Sequence, residues 1–157
     1  MLNGIPVGKM KIKGDCKTKF SVRYQSGMLT AVALDTEGNV LAKTSISGAE
    51  GAPQLHTMPE MNSISGKDLA YVRLQYADQK GTLFPLARGA ISVQVTGGEL
   101  LALGNACPYN ERGYLTHTTD VYYGEALAII RPTAGEIQIT AQSPYGNAKT
   151  KIQVLDG

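Results

Sequence analysis

The sequence predicts an all-β chain, on three observations. Apolar side chains recur with period two along almost every apolar segment. Those segments are closed by Gly, Asn or Asp, and helix signals are nearly absent. The 157 residues are 43% hydrophobic and 18% charged, enough apolar side chains to fill a core and too little charge for a disordered chain. Sandwich units run to about 100 residues, so the length admits one domain or two small ones.

In chain order, the first strands are expected over residues 7–12, 20–24, 29–34 and 40–46, with turns at Gly14-Asp15, Ser26-Gly27 and Glu37-Gly38-Asn39. Four strands are thin for a sandwich standing alone. Small residues and a proline in Gly48-Ala49-Glu50-Gly51-Ala52-Pro53 then suggest a linker. The expected division is a partial immunoglobulin-like β domain over 1–48 and a C-terminal immunoglobulin-like β-sandwich over 49–157.

Within the second part, Ala70, Val72, Leu74 and Tyr76 alternate with Tyr71, Arg73 and Gln75, and the run stops at Asp78-Gln79-Lys80-Gly81, suited to a hairpin or a longer connection. Ile91, Val93 and Val95 alternate with Ser92 and Gln94 before Gly97-Gly98. Residues 99–104 and 126–130 are apolar on both parities, as expected of strands covered on both faces or lying centrally in a sheet. Alternation returns through Ile137 and Ile139, and ends with Ala148, Thr150, Ile152 and Val154 against Lys149, Lys151 and Gln153. From Gln54 onward this gives six or seven strands at the spacing of an immunoglobulin-like sandwich, with an open barrel as the alternative. Residues 105–120 form the one long connection without a core pattern, a segment expected to be a functional surface or a cover over a sheet edge.

Composition also excludes function classes. Fifteen basic and thirteen acidic residues leave a formal charge of +2, and no dense basic stripe exists to attract a phosphate backbone, so nucleic acid is not an expected partner. Lys9, Lys11, Lys13, Lys17, Lys19 and Arg23 alternate along the chain and read as a solvated face. No apolar run reaches the roughly 18 residues of a membrane helix, and no membrane partner is expected. Cys16 and Cys107 fall on opposite sides of the expected boundary, and no disulfide is expected between them. His56 and His117 lack companions at metal-ligand spacing, and the glycines stand between strands rather than before helices, so neither metal, phosphate site nor other cofactor is expected.

Certain phrases resemble a known family. Asp68-Leu69-Ala70-Tyr71-Val72, followed by Asp78-Gln79-Lys80-Gly81, Pro85 and Ile91-Ser92-Val93, resembles the opening of the C-terminal immunoglobulin-like domain of glycoside hydrolase family 2 enzymes, a phrase shared with invasin-type modules. The stretch from Gly98 to Ala106, then Pro108, Glu111 and Tyr114, then Tyr122-Tyr123-Gly124-Glu125-Ala126 onward to Arg131, resembles that family's later strand, loop and strand, with Glu125 where an Arg is common. Upstream, Leu2-Asn3-Gly4 with Gly8-Lys9, and residues 27–33, resemble the small domain that precedes it in the same enzymes.

The resemblance implies a non-catalytic C-terminal accessory region of a bacterial β-galactosidase-like enzyme, whose partners are the catalytic domains of its parent. In the family a strand or two stands before the first hairpin, which implies that the first sandwich is incomplete, that Met1 is not the natural start, and that an exposed strand edge is left to pair with another copy. Family 2 enzymes carry their two catalytic carboxylates on a (β/α)8 barrel, for which this chain has neither the length nor the helices. Glu111 with Asp120 or Glu125, and Cys107 with His117, are formal catalytic pairs that ordinary solvated loop residues explain as well.

The remaining constellation is aromatic. Tyr109, Tyr114, Tyr122 and Tyr123 lie close together with Asn105, Asn110, Glu111 and Arg112 alongside. Flat rings with hydrogen-bonding neighbours suit carbohydrate contact; packing within the domain, or docking against a neighbouring one, is the competing reading. The candidate carbohydrate or interdomain contacts are therefore Tyr109, Asn110, Glu111, Arg112, Tyr114, Tyr122 and Tyr123. An adhesin-type module from a surface protein is a third reading, which repeated copies of this unit in the full gene would reveal.

Overall fold

A computed structural model describes residues 1–12 and 14–155. The chain divides into two compact units, Met1–Glu50 and Gly51–Gly157. Among the described residues there are eleven strands and no helix.

The first unit is built on one antiparallel hairpin, β1 (Met28–Leu34) with β2 (Val40–Ser47). Asp35 closes its turn, accepting hydrogen bonds through Oδ1 from the Glu37 and Asn39 amides and through Oδ2 from Asn39 Nδ2. Those bonds, the Asn39 side chain's first, hold the Asp35 carboxyl below its ordinary range. The chain start lies along β1: the Thr30 amide donates to the Met1 carbonyl at 2.8 Å, and Leu2 bridges Leu29. Asn3 and Gly4, with φ of 49° and 82°, make a tight turn between Leu2 and Ile5. The Asn3 side chain ties that turn to β1, accepting from the Met28 amide at 2.8 Å and donating to the Ser26 carbonyl at 3.1 Å.

The strands expected over 7–12 and 20–24 do not form among the described residues. Both segments are exposed and lack a ladder partner, although the Phe20 ring lies against Gly8 and Thr18 Oγ1 reaches Met10 Sδ at 3.4 Å. Alternation there gives the chain two faces without a sheet to belong to. Lys9, Lys11, Lys17, Lys19 and Arg23 are exposed; Lys13 lies outside the described residues.

The second unit is a β-sandwich. One sheet has four strands in the order β3 (Gln54–Pro59), β5 (Ala70–Ala77), β9 (Glu125–Pro132), β7 (Gly98–Gly104). The other has five, in the order β4 (Ser63–Ser65), β11 (Gly146–Leu155), β10 (Glu136–Ser143), β6 (Ala90–Thr96), β8 (Thr118–Asp120). This is the A-B-E-D against G-F-C arrangement of immunoglobulin-like sandwiches, with β4 pairing parallel to β11 and β8 antiparallel to β6 at the edges. The two three-residue edge strands are too short for alternation to reveal, which is why six or seven were expected.

Alternate residues of both sheets meet in one core. Val72, Leu74, Ala128, Ile130 and Leu103 come from the first sheet, and Ile91, Val93, Ile137, Ile139 and Ile152 from the second. Burying each large aliphatic side chain contributes about 1.5–3 kcal/mol. Tyr76 enters the same core, its ring edge-on to Tyr145 at 4.7 Å and its hydroxyl donating to the Gly89 carbonyl at 3.2 Å. The passage from one sheet to the other is made by a single residue, Gly97, between β6 and β7. Its φ is +72°, and an added Cβ would stand 1.9 Å from the Glu136 carbonyl oxygen. Only glycine fits that corner.

The two runs apolar on both parities have different causes. Strand β9 is central, between β5 and β7, as expected. Strand β7 lies at the sheet edge, and its second apolar face and that of β9 look outward from the sandwich.

Candidate functional site

The outward face of the four-stranded sheet carries a groove of about 430 Å³. Its floor follows from the register: Ala102 pairs Ile129 and Gly104 pairs Leu127, while the intervening Leu103 and Ala128 point into the core. On the next strand Arg73 pairs Leu127 and reaches the same surface, and Glu60 follows β3 on the far side. Asn105, Ala106 and Tyr114 form one wall, and Tyr122 with Glu125 closes one end.

The wall is held by backbone geometry. The Leu103 amide donates to the Tyr114 carbonyl at 2.8 Å, which brings the long loop back onto β7. The Tyr114 ring then lies directly on Gly104, where an added Cβ would stand 2.3 Å from Cδ1. Asn105 is engaged on both sides of its amide, Nδ2 donating to the Asp120 carbonyl at 2.7 Å and Oδ1 accepting from the Cys107 amide at 2.8 Å. Arg112 Nε reaches Asp120 Oδ2 at 3.0 Å across the same loop.

At the closed end, Tyr122 and Glu125 exchange backbone hydrogen bonds around a two-residue turn, Tyr123-Gly124, with φ of 50° and 78°. Gly124 is required because a Cβ would meet the Phe84 carbonyl oxygen at 2.5 Å. The rings of Tyr122 and Tyr123 meet edge to face at 4.6 Å and 74°. Repulsion between the two phenolates, with burial next, raises the Tyr122 pKa above its ordinary value of 10.0. The Glu125 carboxylate accepts a hydrogen bond from Gln75 Nε2. Beyond it His56 stands opposite Gln75, its Nε2 buried without a hydrogen-bond partner among the described residues.

The structure thus sorts the seven residues singled out from the sequence. Tyr114 and Tyr122 line the groove. Tyr123 braces Tyr122 from outside it. Asn110 holds the turn before Tyr114, Nδ2 donating to the Gly113 carbonyl at 3.1 Å, and Arg112 secures the loop through Asp120. Tyr109, 87% exposed, and Glu111 sit at the loop surface away from the groove lining. Sequence reasoning missed Arg73, Glu60, Leu127, Ile129 and Ala102. The signal was present in the double-parity runs, whose second apolar set was assigned to burial and instead floors an open surface.

Cys16 and Cys107 are both free thiols. No group of three or more metal-ligating side chains comes together among the described residues, and no helix is long and apolar enough to cross a membrane.

Known proteins resemble this chain along most of its length. A family model described as Glycoside hydrolase family 2 C-terminal domain 5 matches residues 54–152, and one described as Domain of unknown function (DUF4982) matches residues 1–42. Beta-galactosidase BoGH2A from Bacteroides ovatus is 26% identical over 148 residues, which are 90% of this chain and 17% of that protein. A glycosyl hydrolase family 2 member from Bacteroides cellulosilyticus superposes with a TM-score of 0.86 at 25% identity, over 98% of this chain and 22% of its own. A beta-glycosidase from Bacteroides vulgatus shares the fold, with a TM-score of 0.79 at 19% identity over 98% of this chain and 20% of its own. The chain spans about a fifth of the length of these relatives. With more than half of its residues inside the first of these models, the chain belongs to the glycoside hydrolase family 2 C-terminal domain 5 family.

Proposed function

We propose that this chain is a non-catalytic accessory region of a larger bacterial family 2 glycosidase of the β-galactosidase kind, where it supports and orients the catalytic domains. The observation that carries the reading is one of proportion. Relatives whose names declare glycoside hydrolysis match this chain along nearly all of its length, yet it accounts for about a fifth of theirs. Hydrolysis of a glycosidic bond needs two carboxyl groups about 5–9.5 Å apart, one acting as acid and the other as nucleophile or base. Of the two glutamates bordering the groove, Glu125 is engaged by Gln75 and Glu60 stands on the exposed rim.

The first unit supports the same reading. Its hairpin exposes the cross-strand pair Leu29 and Ile46 and, at the turn end and of opposite parity, the pair Leu34 and Val40, apolar side chains suited to interdomain burial. The domains proposed are a partial immunoglobulin-like unit over 1–48 and the sandwich over 49–157.

Incubating the purified chain with chromogenic β-galactosides and β-glucuronides is expected to release no product above blank. Turnover abolished by Glu60→Gln or Glu125→Gln would refute the reading. In the full-length parent, deleting residues 54–152 is expected to lower the melting temperature or disturb assembly, while the folded fraction keeps its kcat.

A further inference from the structure

We propose that the groove on the outer sheet face is a carbohydrate site that seats the apolar face of a neutral pyranose against Tyr114 and offers its hydroxyls to Arg73 and Glu60. Three observations carry this beyond the accessory role. The first is the groove itself, whose volume of about 430 Å³ falls within the usual size of small-molecule sites and whose floor is the apolar trio Leu127, Ile129 and Ala102.

The second is the state of the aromatic wall. Tyr114 is 51% exposed, while its ring packs on Gly104 and its backbone is held by the bond from the Leu103 amide. A ring already packed on one side, with its backbone held, loses less entropy when a ligand stacks on it than a ring standing free. Tyr122, braced by Tyr123, is held in the same manner.

The third observation is which polar groups are free. Asn105 and Glu125 are already engaged within the protein. The side chains of Arg73 and Glu60 make no hydrogen bond or ion pair among the described residues, although both border the groove. One fork of donors and one acceptor opposite a fixed ring suit the alternating donor and acceptor hydroxyls of a sugar. With two carboxylates against one guanidinium at the rim, a neutral hexose is favoured over a uronic acid.

The test is calorimetry and saturation-transfer NMR on the full chain with soluble β-linked galacto- and gluco-oligosaccharides. Saturable binding is expected, with transfer concentrated on one face of the bound ring. Tyr114→Ala should weaken binding by about tenfold or more, and Arg73→Ala by several-fold. Gly104→Val, which displaces the Tyr114 ring, should match Tyr114→Ala while far-ultraviolet circular dichroism stays unchanged; Tyr109→Ala, at the loop tip, should leave affinity intact. Absence of saturable binding to either sugar series, or unchanged affinity in Tyr114→Ala, overturns the proposal. So does protection of the groove from hydrogen exchange by the rest of the parent enzyme with no sugar effect, which would make it a docking face. These failures leave the accessory reading standing, because that reading is tested separately, by hydrolysis in the chain itself and by deletion of residues 54–152 from the parent.

Discussion

The two units use the same local pattern to different ends. In the sandwich, period-two alternation places Val72, Leu74, Ile137 and Ile139 in a core with no solvent exposure. In the first unit β1 is apolar at every position but Thr30, yet among the described residues no apolar side chain of residues 1–50 is buried, and the one buried residue there is Thr30. The difference is a second layer. Alternation creates an amphipathic ribbon, and a ribbon becomes a core only when another sheet lies across its apolar face. What holds the first unit is polar: the β1–β2 ladder, Asn3 on Met28 and Ser26, Asp35 across its turn, and Thr30 Oγ1 on Ser45 Oγ at 2.9 Å.

The largest expected effect breaks that contrast from the sandwich side. Ile139→Ala removes a fully buried side chain between the sheets and should cost about 2–5 kcal/mol, whereas Ile46→Ala on the exposed hairpin should change stability by less than about 0.5 kcal/mol. Denaturant titration followed by amide NMR in each unit checks both. An equal loss from the two would mean that the hairpin is covered as the sandwich is. Next comes Gly97→Ala, expected to cost at least about 2 kcal/mol, because a left-handed φ and a backbone carbonyl in the Cβ position act together and no side chain can move aside. Gly135→Ala, with open space at its Cβ and no left-handed φ, is the matched control and should be nearly neutral.

How much of this was legible in the sequence follows the same division. The strands of the sandwich and its inward-facing residues were readable because burial imposes period two, and Ala70, Val72, Leu74 and Tyr76 are all buried as that period requires. Strands over 7–12 and 20–24 were expected on equal alternation and are absent, since pattern alone cannot say whether a partner strand is at hand. The groove was half legible. Tyr114 and Tyr122 stood out as aromatics on a long connection, but Arg73 lies on a regular strand 41 positions before Tyr114 and reaches the groove only through the β5–β9 register. Leu127 and Ile129 looked like core because nothing local distinguishes an apolar side chain facing a second sheet from one flooring an open surface.

A smaller effect sharpens the account of the first unit. If side-chain hydrogen bonds rather than a core maintain it, Asn3→Ala should cost about 1 kcal/mol of local stability through loss of its bonds to the Met28 amide and the Ser26 carbonyl. Hydrogen exchange of the β1 amides should accelerate, while exchange in β10 stays as it was. Acceleration in both would show that the units unfold as one.

The smallest expected effect is a difference in pH response. Asp35 in the first unit and Glu136 in the second both have carboxyls lowered by hydrogen bonds, from Asn39 and from Lys151 respectively. A lowered folded pKa gives stability that is present above the ordinary values of 3.8 and 4.5 and is lost as pH falls through the folded values, so both units should weaken slightly in acid. Alkali should separate them. Burial first raises the Tyr76 pKa above its ordinary 10.0, and the phenol stays protonated in both folded and unfolded chains below that value. As pH rises past 10.0 the unfolded chain releases its proton first, so the sandwich loses stability up to and through the raised folded pKa. Tyr122, raised by its neighbour Tyr123, adds to the same limb from the groove. Melting curves of the sandwich above pH 10 should therefore fall in the natural chain and flatten in Tyr76→Phe, with the hairpin amides indifferent to the substitution. Flattening by Tyr122→Phe alone would place the alkaline sensitivity in the groove rather than in the core.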